Sequence, residues 1–566
     1  MTTSFGVCKF RSLLLAGSFT VLAGYVVRLT DAVIAGNLIG TDALAGVNLA
    51  APFLSAISFL SGLIATGMAT NYSLAMGRLE RTRAHQFFVQ ALWSVAIFCG
   101  ALSLLALFGR NLFLDFLGAE ASVSAHAAGY LRWLWPLAAL DGLQALLVSA
   151  CYADGDTKLC TASYAVLFVV NAVVSVLGVK LGLGTGGCAI GSLAASVLAT
   201  AVLAVHFLRK SNSFRLVRHF ALADSWRIAA ASFGDAAAFL CDALLFLFLS
   251  KFAIARFGSE TLPIVGVATV LWGFLEFFNG IGVAVQPIVT VYYGEGNTKA
   301  VRSVMRAAIV AAVIEGVAFM VLFGALPGLV LGMVGVTDPG LVREGCLAVR
   351  FVCGGFVALA FAGLFNSYYM FVERSLLAGV VTFACYLAMP VATVAACSLG
   401  GVAGMWAGLG LGPVAGCLLA SLFIIAVGGW RRYPLMLDRS RETQQFDFSL
   451  ELADEPIVTV SRQVAGVLAQ RNVPVAKIMR TSLMTEEVLM AVKDRNHGRR
   501  TVGEVFLDLT DGIALTLRDD GEIFDITDAD AQISSLRTFL VASVMERQTG
   551  RINLVTTGFN RNVFRF

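Results

Sequence analysis

Along residues 1–430, apolar positions gather into twelve long runs separated by short polar connections. The first six cover 12–34, 45–70, 86–108, 127–151, 160–180 and 187–208; the second six cover 225–252, 261–290, 303–327, 345–371, 376–397 and 402–428. Each run is about the 20 residues that a helix needs to cross the hydrocarbon core of a bilayer. After Trp430 the pattern changes. Helical periods appear at 464–468 and 483–492, with another helix at 536–545. Strand-like runs appear at 505–509 and 514–518 around an Asp511–Gly512 turn, and a further strand at 551–556. The fold class predicted is an α-helical polytopic membrane protein of twelve transmembrane helices with a small α/β sandwich at its C-terminal end.

Composition agrees with a membrane chain. Of 566 residues 58% are hydrophobic and 14% charged, against roughly 25% charged in soluble domains, and the mean hydropathy is +0.80. The eleven cysteines form no C-x-x-C pair and none lies after Cys417, so they read as small packing residues rather than a disulfide or zinc framework. The first apolar run carries Arg28 and Asp31 and is followed by further runs, unlike a cleaved signal peptide. Basic residues alternate in density between connections. Lys9, Arg11, Arg78, Arg81, Arg83, Lys158, Arg209–Arg227, Lys299–Arg306, Arg374 and Arg431–Arg441 fall on one side. The positive-inside rule makes that side the cytoplasm, with both termini in it and the chain in the cytoplasmic (inner) membrane.

The two halves resemble each other. Gly40-Thr41-Asp42-Ala43-Leu44 aligns with Gly258-Ser259-Glu260-Thr261-Leu262 at an offset of 218 residues, and Val47, Ala50, Gly62 and Arg132 align with Val265, Ala268, Gly280 and Arg350 at the same offset. An even number of spans per half makes a parallel repeat. The expected domains are a six-helix lobe over 1–208, a linker over 209–224, a second lobe over 225–430, a basic linker over 431–445 and a soluble domain over 446–566. Repeated lobes with a site between them are typical of secondary transporters.

A charge in hydrocarbon costs at least about 2.5–3.5 kcal/mol, so the acids that persist there mark a cavity or an ion path. Asp31, Asp141, Asp235, Asp242, Glu276 and Glu315 stand inside apolar runs. Asp235 and Asp242, seven residues apart, share a helical face, and Asp235 reads as solvated at the entrance. A carboxylate in such a place takes up a proton, or Na⁺ when oxygen ligands join it, and exchanges either for a cationic substrate. Thr30, Asn37 and Asn48 lie near Asp31 in sequence as such oxygens, making Na⁺ at Asp31 the one metal expected. Arg28, three residues before Asp31, offers the competing ion-pair reading.

Asp31-Ala32-Val33-Ile34-Ala35-Gly36, the Gly40–Val47 stretch and Ala51-Pro52-Phe53 resemble the first two helices of the MATE (multidrug and toxic compound extrusion) family. Gln286-Pro287 followed by Tyr293-Gly294-Glu295-Gly296-Asn297 resembles that family's eighth helix and its closing turn, and Asn171 with Gly187 and Gly191 its fifth and sixth. The resemblance implies two six-helix lobes in a V and efflux of cationic or amphipathic small molecules against Na⁺ or H⁺. It implies functional acids at Asp31 and Asp242, Asp141 and Glu276 being further candidates, and a bend at Pro287. No cofactor beyond the coupling ion and no nucleic-acid partner are expected, and the chain is expected to act as a monomer.

The C-terminal segment resembles the GHKL ATPase fold in its small anti-sigma-factor or histidine-kinase-like form. Glu486–Val492 stands for the acidic helix and Asp519-Asp520-Gly521 for the nucleotide-contact strand end. Ala491 replaces the magnesium-holding asparagine, and Ile533–Leu536 replaces the glycine-rich lid. The resemblance implies a degenerate domain, with Glu487, Asp520 and Gly521 as candidate nucleotide contacts and with regulation or a cytoplasmic protein partner expected rather than ATP hydrolysis. A lipid-linked saccharide flippase of the same superfamily and a membrane-anchored signalling protein are the alternatives. A primary pump is excluded by the lack of a G-x-x-x-x-G-K-[ST] loop.

Overall fold

The structure is a computed structural model that describes residues 4–117, 121–209, 212–258, 261–334, 338–496, 499–522, 552–556 and 559–566. Long apolar runs form long helices, and prolines within α12 and α17 do not end them. α1 (Phe5–Leu38) leads by a short α2 (Thr41–Leu49) into α3 (Ala51–Gly77); α4 (Arg81–Ser94) and α5 (Gly100–Leu117) are joined through a π-helical turn at 95–99. Then follow α6 (Ala121–Leu134), α7 (Leu137–Ala153), α8 (Thr157–Gly178) and α9 (Thr185–Ala204). An extended stretch leads to the second set: α10 (Leu222–Phe257), α11 (Leu262–Gly273), α12 (Glu276–Gly294), α13 (Thr298–Ala325), α14 (Gly328–Val334), α15 (Pro339–Cys353), α16 (Phe356–Phe371) and α17 (Ser375–Gly428).

Among the described residues, eight helices are long and apolar enough to cross a membrane, or ten when each bent pair counts as one span. The bent pairs are α6–α7, at 54°, and α15–α16, at 43°. The expectation of twelve differs from ten at two places. α1, 34 residues long, is not among the ten, and α17 counts once although Gly401 breaks it. Gly401 takes φ 60° and ψ −136°, a conformation open to glycine and not to residues with a Cβ. Pro287 lies inside α12, which runs on through it to Gly294.

The two sets of helices meet along glycine contacts. A Cβ on Gly280 of α12 would fall 2.2 Å from the Ser18 Cα of α1, and one on Gly67 of α3 would fall 2.0 Å from the Ile228 carbonyl oxygen of α10. Such approach of backbones is what small residues permit between membrane helices. One apolar core gathers around Met68, Tyr72 and Phe88 and takes in Ile228 of α10; another gathers around Trp272, Phe356 and Trp406 and takes in Phe10 and Leu13 of α1.

The C-terminal region is a five-stranded antiparallel sheet with two helices. β1 (Gln445–Glu451), β2 (Val502–Asp508), β3 (Ala514–Asp519), β4 (Ile552–Thr556) and β5 (Phe559–Arg565) take the order β1-β2-β3-β5-β4. α18 (Asp454–Gln470) and α19 (Val475–Arg495) cover one face, closing a core of Val464, Leu468, Val488, Val505, Leu515 and Leu517. Gly512, at φ 117°, turns β2 into β3. The pattern reading had the strands at 505–509 and 514–518, their turn, the strand at 551–556 and both helices; β1 and β5 lay outside it. The expected helix at 536–545 and the lid replacement at Ile533–Leu536 lie outside the described residues.

Candidate functional site

The first site is built around Asp31, buried at 4% exposure in α1. Three helices bring it donors. Tyr130 of α6 donates its hydroxyl to Asp31 Oδ2 at 2.7 Å, Ser192 of α9 donates to the same oxygen at 2.6 Å, and the Asn171 amide of α8 donates to Oδ1 at 3.1 Å. Asn171 also donates to the Ser192 hydroxyl at 2.8 Å, closing the network. Among the described residues no cationic side chain pairs with Asp31; the Arg28 side chain, the partner in the ion-pair reading, lies outside them. A buried carboxylate held by neutral donors is left to be satisfied by a proton or by an incoming cation. Tyr130 and Ser192 were missed in the sequence because 99 and 161 residues separate them from Asp31. Each is one of several polar positions on its helix, α6 also carrying Ser122, Ser124, His126 and Arg132 and α9 Thr185, Ser196 and Thr200, so nothing singled them out.

Thr30 and Asn37 do not join that network. The Thr30 hydroxyl donates to the Val26 carbonyl at 3.0 Å and the Asn37 amide to the Val33 carbonyl at 2.8 Å, each within α1. Neighbours in sequence are turned about 100° apart on a helix, so proximity along the chain misled here. The Asn48 and Asp235 side chains lie outside the described residues.

The second lobe holds a similar but simpler arrangement. Asp242 of α10 accepts from the Trp272 indole of α11 at 2.8 Å and the Tyr386 hydroxyl of α17 at 2.7 Å, both on Oδ1. Each lobe thus holds one acid on its first long helix against a tyrosine hydroxyl. Glu276 begins α12 and accepts from Asn279 at 2.9 Å. Asp141 lies in the second turn of α7 beside Gly142, which packs on Cys99. The structure does not bring either to Asp31.

Gln286 and Gly294 join the lobes. The Gln286 amide donates to the Thr70 hydroxyl at 3.1 Å and the Thr66 carbonyl at 3.3 Å, both on α3. Gly294 meets Gly77 at the end of α3, where a Cβ would lie 3.0 Å from the opposite Cα. At that same end Arg78 pairs with Glu373.

The sheet is docked on this junction, a contact that sequence did not suggest. Glu295, the variable residue of the Tyr-Gly-x-Gly-Asn turn, is 3% exposed and pairs with Arg518 of β3 and, at 2.6 Å, with Arg561 of β5. Arg561 also donates to the Met76 and Gly77 carbonyls at 2.8 and 3.0 Å, so one guanidinium holds the last turn of α3 and the last turn of α12 together. Arg518 also pairs with Glu504 of β2 at 2.5 Å, and Tyr292 donates to the same carboxylate at 2.9 Å. On β1, Asp447 accepts from Asn297 at 2.9 Å, while Lys299 donates to the Gln445 carbonyl at 2.7 Å. The basic linker expected over 431–445 is tied down at its end, with Glu442 bonded by Arg302 and Thr298.

Burial pushes the Asp447 carboxyl up to about 6, with Asn297 and Lys299 opposing. Burial, aided by the charge of Asp447, raises Glu504 well above the carboxylate range. The candidate nucleotide contacts are engaged otherwise. Asp520 accepts from the Val502 amide at 2.7 Å and pairs with Lys9 of α1 at 3.6 Å. Gly521 lies against the Asn496 side chain, with its amide given to Asp519. Glu487 is on α19, away from the strand end in sequence.

Comparisons with known proteins bear on the helical part. Solved structures with the same fold include an outward-facing multidrug resistance MATE family transporter of the MOP superfamily (TM-score 0.68, 18% identity, covering 75% of this chain and 98% of that one). A MOP superfamily transporter from Pyrococcus furiosus gives 0.66, at 18% identity over 75% and 98%. The Vibrio cholerae MATE transporter VcmN in its bent form gives 0.67, at 18% identity over 76% and 99%. No curated protein matches the chain. The MatE family model matches residues 18–177 and 236–394, one stretch in each lobe and more than half of the sequence. The chain belongs to the MatE family of membrane transporters.

Proposed function

We propose that this transporter is an antiporter that exports cationic or amphipathic small molecules in exchange for Na⁺ or H⁺. The observation that carries the reading is Asp31, buried among Tyr130, Asn171 and Ser192 with no cationic partner among the described residues. An ion or a cationic substrate can satisfy this acid, and competition between them for one charge is exchange. We read the membrane part as twelve spans in two six-helix lobes, α1 and the two halves of α17 completing the count. The end where Lys9, Arg78 and Arg302 gather is taken as cytoplasmic, in an inner membrane. Asp242 serves the second lobe.

The C-terminal sheet and its helices are read as a cytoplasmic regulatory domain of degenerate GHKL type that does not hydrolyse ATP. Its contact with both lobes supports regulation, since Arg561 and Glu295 tie the inner ends of α3 and α12. In such a two-lobed transporter those ends must part for the inner side to open.

Proteoliposomes loaded with a cationic dye, under separately imposed Na⁺ and H⁺ gradients, test the reading. Native chain is expected to accumulate or expel dye under one gradient, and Asp31→Asn to fall to the rate of empty vesicles. Undiminished gradient-driven transport by Asp31→Asn overturns the assignment.

A further inference from the structure

A cavity of about 240 Å³ opens where α13 begins and α17 has just ended. Five arginines line it: Arg302 and Arg306 from the first three turns of α13, and Arg431, Arg432 and Arg439 from the segment after α17. Arg302 and Arg306, four residues apart, share one helical face. Glu442 pairs with Arg302 and, at 3.4 Å, with Arg439, and so answers two of the five. Asp438 is exposed and feels the charge of Arg432 at a distance, and among the described residues no ion pair within 4 Å forms with Arg306, Arg431 or Arg432.

The floor of the cavity is held in place. Tyr368 and Tyr369, both at most 1% exposed, donate to the Leu435 and Pro434 carbonyls at 2.7 and 2.5 Å. Tyr433 donates to Ser421 of α17 at 3.0 Å, and Met436 and Leu437 are buried. Trp430, 74% exposed, stacks on Tyr433 at the end of a membrane-length helix. That is the position of an interfacial tryptophan at headgroup depth.

A fixed apolar floor under several unmatched guanidinium groups is a site for an anion with oxygens enough to take planar, two-pronged bonds. We propose that this cavity binds a phosphate-bearing anion, supplied by an anionic lipid headgroup or by a soluble phosphate. Its depth at the membrane surface allows the first source, and its opening toward the linker allows the second.

The test uses the full chain, purified and stripped of lipid, with phosphatidylglycerol in phosphatidylcholine vesicles as one probe and inorganic phosphate as the other. Bound lipid is read by native mass spectrometry, and phosphate by calorimetry. Phosphatidylglycerol is expected to be retained over phosphatidylcholine, and Arg306→Gln/Arg431→Gln/Arg432→Gln to lower that preference on the order of a hundredfold, roughly fivefold per arginine. Arg215→Gln/Arg218→Gln, which removes exposed charge elsewhere, is expected to leave it within about twofold. Stoichiometric phosphate binding without lipid preference, lost in the triple variant, assigns the same site to a soluble phosphate. Neither probe binding the native chain, or equal losses in the triple and control variants, overturns the proposal. Should the triple variant not fold, Arg431→Gln/Arg432→Gln takes its place, with a loss of about twenty-five-fold expected, and an unchanged preference likewise overturns the proposal.

Discussion

At the scale of single residues, the Asp31 network shows what a buried charge requires. Its two oxygens receive three donors from three other helices, all of them neutral. Removing one leaves a charge less well met, at about 1.5–3 kcal/mol for a hydrogen bond to an ionised group. Tyr130→Phe, which keeps the ring in place, is therefore expected to slow gradient-driven efflux at least about tenfold while the chain still folds. Transport assays beside thermal unfolding of the same preparation check this, and an unchanged efflux rate would count against a working role for the network. The acid itself was legible in the sequence, since a carboxylate inside an apolar run needs a reason. Its companions were legible only in part: Asn171 stood out through a family resemblance, whereas Tyr130 and Ser192 carry no pattern of their own. Thr30 and Asn37 were misplaced because sequence distance ignores the 100° turn per residue.

Among the elements, the helices were readable from apolar length, and most of their breaks were not. The π turn at 95–99 and the bends after Leu134 and Cys353 lie within single apolar runs, so hydropathy passes across them, whereas the reversal at Gly401 falls between the runs 376–397 and 402–428. The sheet was half legible for a related reason. β2 and β3 place Val505, Leu507, Leu515 and Leu517 in the domain core, and their other faces carry Glu504 and Arg518, also buried. β5 differs over 560–562, where Asn560, Arg561 and Asn562 put buried polar side chains on both faces, so no apolar alternation marks it as a strand. Helix crossing is set by glycine. Gly67→Ala drives a methyl group into the Ile228 carbonyl, and a backbone shift of α10 is the only relief. Loss of about 1–3 kcal/mol is expected, seen as a lower unfolding temperature in detergent; an unchanged temperature would show that the helices give way freely.

For the whole molecule, the decisive contact is the buried set Glu295, Arg518, Arg561 and Glu504. Glu295→Gln leaves two guanidinium groups without their shared anion, a change costing about 3–5 kcal/mol when a buried pair is broken. Amide exchange across 559–566 is expected to quicken in this variant, and efflux with it if the docked domain restrains the lobes; faster exchange with slower efflux would reject restraint. Docking also responds to pH. Asp447 and Glu504 hold protons more readily when docked, because burial lifts both above their values in water. Docking is then favoured at low pH and weakens as pH rises through about 6 and beyond. Arg518 and Arg561, pushed down to about 9 by burial, change charge only above this window. Exchange across 559–566, corrected for intrinsic rates, should be several-fold faster at pH 8 than at pH 5.5; a flat profile would remove the two carboxyls from the account.

The polar nature of that docking face has a further consequence. A partner surface of leucine and phenylalanine, once parted, would expose grease and draw the halves together again or into aggregates. Here the sheet would present mainly carboxylates, guanidinium groups and amides to water, with Phe506 and Val563 as apolar side chains among them. Its own core, beneath α18 and α19, would stay shut. The domain is fastened in the manner of a latch rather than a weld: held firmly while closed, and harmless to the cell while open.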